Sequence, residues 1–249
     1  MIQKEFVPLV EDSIACCCKY FGSRIIAVYL HGSICSGDAI PGISDLDSYI
    51  VINDNLTNTD KKFLQDLEWN LQKKYTIVDG VHLSVHTVDE LKSDKFTRFI
   101  LIHNSTLYKG TDIVRTIDSN CNDRYQVDKQ TAKLRLSFAR KCFEDALNGK
   151  EPACTGEIPV NTYYAARKFA RYFIIIEGAY FLMSLNQFRC FNKECVLSQL
   201  KKYLNEYDKV LTLTEKVINN PIETGIKHDD YLKMIQPVVE IMFERIEKS

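Results

Sequence analysis

Two runs decide how this chain is read: His31-Gly32-Ser33-Ile34-Cys35-Ser36-Gly37-Asp38 and, shortly after it, Ser44-Asp45-Leu46-Asp47-Ser48-Tyr49-Ile50-Val51. The first follows Ile25-Ile26-Ala27-Val28-Tyr29-Leu30, an apolar run short enough to be a buried strand. Gly32-Ser33 should then open a short helix. Its free backbone N–H groups and positive end suit a phosphate, and Gly32 lets the backbone come close. The second run reads as a strand over Leu46–Ile52. Residues two apart on a strand point to one face, so Asp45 and Asp47 project together. Paired carboxylates of this kind hold Mg²⁺ against a triphosphate, whose oxygens and water complete the shell. The plainer alternative makes Gly32-Ser33 a mere turn and Asp45 a strand entry, and it needs both halves to coincide by chance.

Working outward, apolar positions Phe6, Leu9, Val10, Ile14, Cys17 and Cys18 recur at helical spacing, which predicts an amphipathic helix over about Glu5–Tyr20. A second helix, capped by Asn58 or Thr59, is expected to reach about Lys74. Val81–Val85 alternates strictly, with Val81, Leu83 and Val85 on one face and His82, Ser84 and, just beyond, His86 on the other. Beyond Tyr108-Lys109-Gly110 the stretch from Thr111 to Val127 is polar and suits a linker or loop. Helical patterns then cover about Asp128–Asn148, Asn161–Leu185, Lys193–Tyr203 and His228–Ile246. The expected organisation is α+β: an α/β domain with a mixed sheet over residues 1–127, followed by a C-terminal helical bundle over 128–249. No internal repeat or low-complexity segment is evident.

The 249 residues carry 32 basic and 33 acidic side chains, a net charge of -1. Such a balance provides no global field for nucleic acid or a membrane. No basic stripe with interleaved aromatics is present either, so nucleic acid is not an expected partner. Nine cysteines include three in a row (Cys16, Cys17, Cys18), and an odd count so arranged argues against a disulfide scaffold. Cys190 and Cys195 have no matching second pair, so a zinc site is not expected. The longest apolar run, around Phe173–Leu185, is broken by Glu177 and Gly178. With no signal-peptide pattern at Met1-Ile2-Gln3-Lys4-Glu5, the expectation is a cytoplasmic protein with free thiols and no membrane partner.

The apolar strand, Gly-Ser, and Asp-x-Asp on a following strand together resemble the signature of DNA polymerase beta superfamily nucleotidyltransferases. Within that superfamily the chain resembles aminoglycoside adenylyltransferases of the streptomycin/spectinomycin type. Val81-His82-Leu83-Ser84-Val85 with Val88-Asp89-Glu90-Leu91 is similar to the family's third strand, and Ser105-Thr106-Leu107-Tyr108-Lys109-Gly110 to the segment closing the domain. Ala170-Arg171 and Asn192-Lys193 are similar to the Ala-Arg and Ser-Lys pairs of the helical part. The resemblance implies Mg²⁺ on Asp45 and Asp47, nucleotide binding by Gly32, Ser33, Arg171 and Lys193, and transfer of a nucleoside monophosphate from a triphosphate, ATP, to a small-molecule hydroxyl, an aminoglycoside-like antibiotic among them. Arg189 competes with Arg171 because the spacing to Lys193 is long.

The chain departs from the family at one position. The third strand should carry an acidic general base, and His82 stands there instead. Histidine can accept a proton or bind metal as neutral imidazole, although Mg²⁺ prefers oxygen. Three outcomes stay open: His82 is the base, a carboxylate such as Asp79 or a bundle glutamate replaces it, or the protein is a nucleotide-binding or regulatory member with weak or lost catalysis. His86 reads as an ordinary surface histidine and His31 as structural. A polycationic acceptor calls for acidic neighbours, for which Glu144, Asp145, Glu157 and Glu177 are candidates. A helical ribonuclease partner of a toxin–antitoxin pair is not supported, because no arginine precedes His228 at the required spacing.

Overall fold

The computed structural model describes residues 2–117, 129–155, 158–188 and 190–247. The chain divides into two units, Met1–Tyr125 and Gln126–Ser249. The expected boundary after residue 127 lies outside the described residues, as do the later part of the polar stretch, Glu157 and Arg189.

In the first unit, α1 (Val7–Phe21) starts with a proline in its first turn, where no N–H is needed, and buries Leu9, Val10, Ile14, Cys17 and Phe21. β1 (Ile25–His31) leads into α2 (Gly32–Ser36), and β2 (Leu46–Ile52) follows. α3 (Asn58–Lys74) crosses from β2 to β3 (Val81–Thr87). Its cap is Thr57, one or two residues before the expected Asn58 or Thr59: Thr57 Oγ1 accepts from Asp60 N–H, and the Asp60 carboxylate accepts from Thr57 N–H. α4 (Val88–Ser93) and α5 (Lys95–His103) precede β4 (Ser105–Gly110). α6 (Ile113–Ile117) then forms inside the stretch expected to be a loop, because Val114 is drawn into the core.

The sheet runs in the order β3-β2-β1-β4. β1 is antiparallel to β2 and β4 while β2 and β3 are parallel, so the sheet is mixed as expected. Its two faces have different fates. Val28, Leu30, Leu46, Ile50, Ile52 and Leu83 pack with Leu9 and Ile14 of α1 and Leu64 and Leu67 of α3. The opposite face sends Ala27, Tyr29 and Val51 into a smaller core with Leu91, Leu101 and Val114 from α4, α5 and α6. At the end of this second face, the same alternation delivers His31 and Asp47 in place of apolar residues.

Arg24, just before β1, holds the start of the sheet to the start of α3. Its Nε lies 2.8 Å from Asp54 and its Nη2 2.9 Å from Asp60. This guanidinium keeps the Asp60 carboxyl well below the usual carboxylate range.

The second unit is helical: α7 (Lys129–Leu147), α8 (Thr162–Phe169), α9 (Glu177–Ser184), α10 (Lys193–Tyr203), α11 (Asp208–Asn219), α12 (Pro221–Thr224) and α13 (His228–Glu247). The segment expected as one helix over 161–185 is continuous, but Ala170–Ile176 winds as a π-helix between α8 and α9. α11 and α12 fall where no helix was expected. Among the described residues, no helix is long and apolar enough to cross a membrane. The expectation of free thiols fails at Cys190 and Cys195, which form a disulfide. Asn192 caps α10 between them and turns the chain back, so Cys195 in the first helical turn meets Cys190.

Candidate active site

The site grows from the end of β1. Gly32 has φ +75, a left-handed conformation that costs an L side chain energy. A Cβ at Gly32 would stand 2.7 Å from Asp47 Oδ2. Glycine is therefore required twice at this position, by its backbone and by the carboxylate against it. Ser33 is half-buried in the first turn of α2, and its carbonyl accepts from Asp38 N–H (2.9 Å) and from the Ser36 hydroxyl (3.2 Å). The chain then returns to β2 through a stitched loop. Ser44 Oγ accepts from Ile40 N–H (2.9 Å), Asp79 N–H donates to Ser44 O (3.2 Å) and Leu46 N–H to Gly80 O (2.9 Å). These bonds fix where Asp45 and Asp47 start.

Strand register supplies the neighbours. His31 pairs with Asp47, Asp47 with His82, and His31 with Ser105 on the other side. One row across the sheet thus reads Ser105, His31, Asp47, His82. Asp45 lies one strand period before Asp47, and Gly80 lies beside it. A Cβ at Gly80 would be 3.1 Å from Asp45 Oδ1 and 3.0 Å from His82 Nε2, so both side chains pack close against this glycine. Asp45 and Asp47 are half-buried and His82 is exposed.

His31 and Tyr49 line the inner side of the row, their rings 4.9 Å apart, and His86 stands 5.3 Å beyond Tyr49. Burial holds His31 below the ordinary histidine pKa, against the pull of Asp47. Burial likewise lowers His86, which is half-buried and tilted against Tyr49 rather than the surface histidine expected. Asp79, the alternative carboxylate, is exposed at the turn before β3, where its carbonyl accepts from Gln72 Nε2 at 2.6 Å. On the other side of β3, Glu68 Oε1 accepts the Leu83 N–H at 2.6 Å, closing an edge-strand donor.

Gly32, Ser33, Asp45, Asp47 and His82 are therefore brought together in the first unit. Two further neighbours were not read as part of the site, Gly80 being unnamed and His31 taken as structural. Gly80 was signalled only as the glycine of a turn before an alternating strand, and His31 only by its place next to Gly32. Arg171 and Lys193 belong to the second unit. Arg171 is in the π-helix with its Nη1 buried. Lys193 opens α10 with 17% of its side chain exposed, 3.8 Å from Glu194.

The acidic residues of that unit differ in fate. Glu144 is exposed, and Asp145 lies 3.6 Å from Lys150. Glu177 is fully buried, held by Arg135 Nε and Nη2 at 3.1 and 3.0 Å. Arg135 also donates to Tyr172. Burial pushes the Glu177 carboxyl up to about 7, in spite of Arg135. Glu177 is thus committed to the interior and corrected as a candidate surface acid for a polycation.

Does the site suit a divalent ion? Among the described residues, no three His, Cys, Asp or Glu side chains already stand together as a complete set of ligands. Asp45 and Asp47 nevertheless lie together on one face, packed directly against the backbone at Gly80 and Gly32. Magnesium commonly uses one or two carboxylates and takes its remaining ligands from phosphates and water, so the donors fit.

Comparison with known proteins places this geometry. Residues 11–105 match the family model for the nucleotidyltransferase domain. Among solved structures, the chain is similar to spectinomycin adenyltransferase from Enterococcus faecialis, solved with ATP and spectinomycin. The identity is 10%, the TM-score 0.55, and the match covers 97% of this chain and 99% of that one. A toxin–antitoxin structure with AMP-PNP matches at 17% identity over 55% of this chain and 98% of that one, with a TM-score of 0.34 that supports no argument. No curated protein matches the chain. Gly32, Ser33, Asp45, Asp47 and His82 thus all lie within the stretch that matches the nucleotidyltransferase domain, which supports an enzyme of nucleotidyltransferase type, and the chain resembles an aminoglycoside adenylyltransferase in fold.

Proposed function

We propose that the enzyme transfers AMP from ATP to a hydroxyl of a small molecule, with an aminoglycoside-like compound as acceptor, in the cytoplasm. The observation that carries this reading is the pressing of Asp47 against Gly32 with Asp45 one strand period away. It sets two carboxylates beside a stretch of backbone that a phosphate can approach. The resemblance in fold to an adenyltransferase solved with ATP and spectinomycin supports the choice of nucleotide and acceptor class.

Asp45 and Asp47 would hold Mg²⁺, which when bound neutralises the triphosphate charge. Gly32 and Ser33 face the phosphates, and the half-buried positions of the aspartates exclude part of the solvent that would screen them. Arg171 and Lys193 are proposed as phosphate contacts from the helical unit. His82 completes the catalytic set on the exposed side of Asp45. The acceptor oxygen bonds to the α-phosphorus as the bond to pyrophosphate breaks and its hydroxyl proton passes to a base, the role proposed for His82, and positioning with charge neutralisation supplies most of the acceleration.

The test is calorimetric titration of ATP with and without Mg²⁺, on the wild type and on Asp47→Asn. Magnesium-dependent binding weakened at least about tenfold by the substitution, a change of about 1.4 kcal/mol, is expected. Pyrophosphate release in an aminoglycoside screen would then identify the acceptor. Equal binding by wild type and variant would refute the assignment.

A further inference from the structure

We propose that Cys35 and Thr106 are positioning residues for the nucleotide: the hydrogen bond between them sets the angle at which Gly32 and Ser33 meet the phosphates. This rests on the nucleotidyltransferase reading of the same site. The corner from β1 into α2 turns at Gly32, a residue of wide backbone freedom, so the corner does not fix its own angle. α2 has five residues, too few to hold a helix unaided, and His31 gives it no side-chain cap. Contacts outside the helix must therefore seat it.

Ile34 is fully buried in the larger core and anchors the middle of α2. A single anchor leaves the helix free to rotate about it. Cys35 supplies a second one, its Sγ donating to Thr106 Oγ1 of β4 at 3.1 Å. The Ser36 hydroxyl, by contrast, bonds within the turn, to Ser33 O at 3.2 Å and Asp38 Oδ2 at 3.1 Å. Thr106 is the register partner of Leu30, just before the corner, so the thiol bond spans the corner and ties α2 to the strand beside β1. A thiol is a weak donor, and Thr106 is exposed, so the bond adds little to global stability. Its consequence is local. A small rotation of α2 carries Ser33 away from the phosphates, and displacements on the ångström scale are enough to lose productive geometry.

The experiment titrates ATP with Mg²⁺ into the full chain by calorimetry, for the wild type, Cys35→Ala, Thr106→Val, the two combined, and Cys35→Ser. Each single variant should bind ATP at least about threefold more weakly, and the double variant no more weakly than either, because both changes remove the same bond. Cys35→Ser keeps a donor and should return affinity to within about twofold of the wild type. Inorganic tripolyphosphate with Mg²⁺, which makes only the phosphate contacts, should show the same pattern. Urea unfolding midpoints should stay close to the wild type, since Ile34 is untouched. Unchanged ATP affinity in the single variants, fully additive losses in the double variant, or losses that track the unfolding midpoints would overturn the proposal and leave nucleotide transfer standing. A folded wild type that binds neither ATP nor tripolyphosphate overturns both.

Discussion

Gly32 and Asp47 show how one missing methyl group can hold a site open. A Cβ at Gly32 would lie 2.7 Å from Asp47 Oδ2 on a backbone with φ +75. Gly32→Ala must therefore displace the carboxylate and also strain the turn. We expect it to weaken ATP–Mg²⁺ binding at least about tenfold while costing only about 1–2 kcal/mol of stability, the ordinary penalty of a left-handed L residue. Calorimetric titration and urea unfolding of the same variant separate the two. A large loss of stability with unchanged affinity would place the role of Gly32 in the fold alone. At this scale the common placement of Gly32, Ser33, Asp45 and Asp47 was legible in advance, because it follows from turn chemistry and strand period. Gly80 and the pairing of His31 with Asp47 were not, because contacts between strands depend on register, and no local pattern specifies it.

At the scale of elements, β4 depends on Gly110. Its φ is +90, and a Cβ there would come 2.1 Å from the Ile26 carbonyl oxygen on β1. Gly110→Ala should break the β1–β4 pairing at its end and destabilise the first unit by roughly 2–4 kcal/mol, combining strain with a backbone clash. Hydrogen exchange would report it as faster exchange of β4 amides, and unchanged protection there would contradict the argument. Thr57→Ala removes one half of the α3 capping box, for an expected cost of about 1 kcal/mol in urea unfolding. Element legibility has a physical pattern too. β1 was plain because its apolar run is unbroken and of strand length, and β2 because a short apolar run follows the Asp-x-Asp pair. α11 was hidden by Thr214, a polar residue in the middle of its buried stripe. Its hydroxyl is satisfied internally, donating to Val210 O at 2.9 Å and accepting from Tyr231 Oη at 3.0 Å. α4 carries a Thr87/Glu90 capping box that a closer reading of Thr-x-x-Glu would have found.

Over the whole molecule, each unit contains a carboxyl displaced from its ordinary titration, and in opposite directions. Asp60 is held low by Arg24, so its contribution is present above the ordinary aspartate value and is lost as pH falls below about 4. Glu177 is raised by burial from 4.5 to about 7. Its contribution is complete below the ordinary value and is lost as pH rises through 7, by up to about 3 kcal/mol. Unfolding free energies of wild type relative to Asp60→Asn should therefore decline toward acid. Those relative to Glu177→Gln should decline from pH 4.5 to 7. Difference curves of the same slope would show that one of the two environments has been misassigned.

The amino-acid sequence by itself determined the two halves of the motif, the common face of Asp45 and Asp47, and the change from mixed α/β to helical character along the chain. These are local matters, set by the period of a strand, the freedom of glycine and the spacing of apolar residues. Only the tertiary structure decided that Asp47 lies between His31 and His82, that Asp45 and His82 both pack against Gly80, that Cys190 meets Cys195, and that Glu177 is buried against Arg135. Each of these joins residues whose proximity depends on register, a turn or helix packing, energies that no single segment contains.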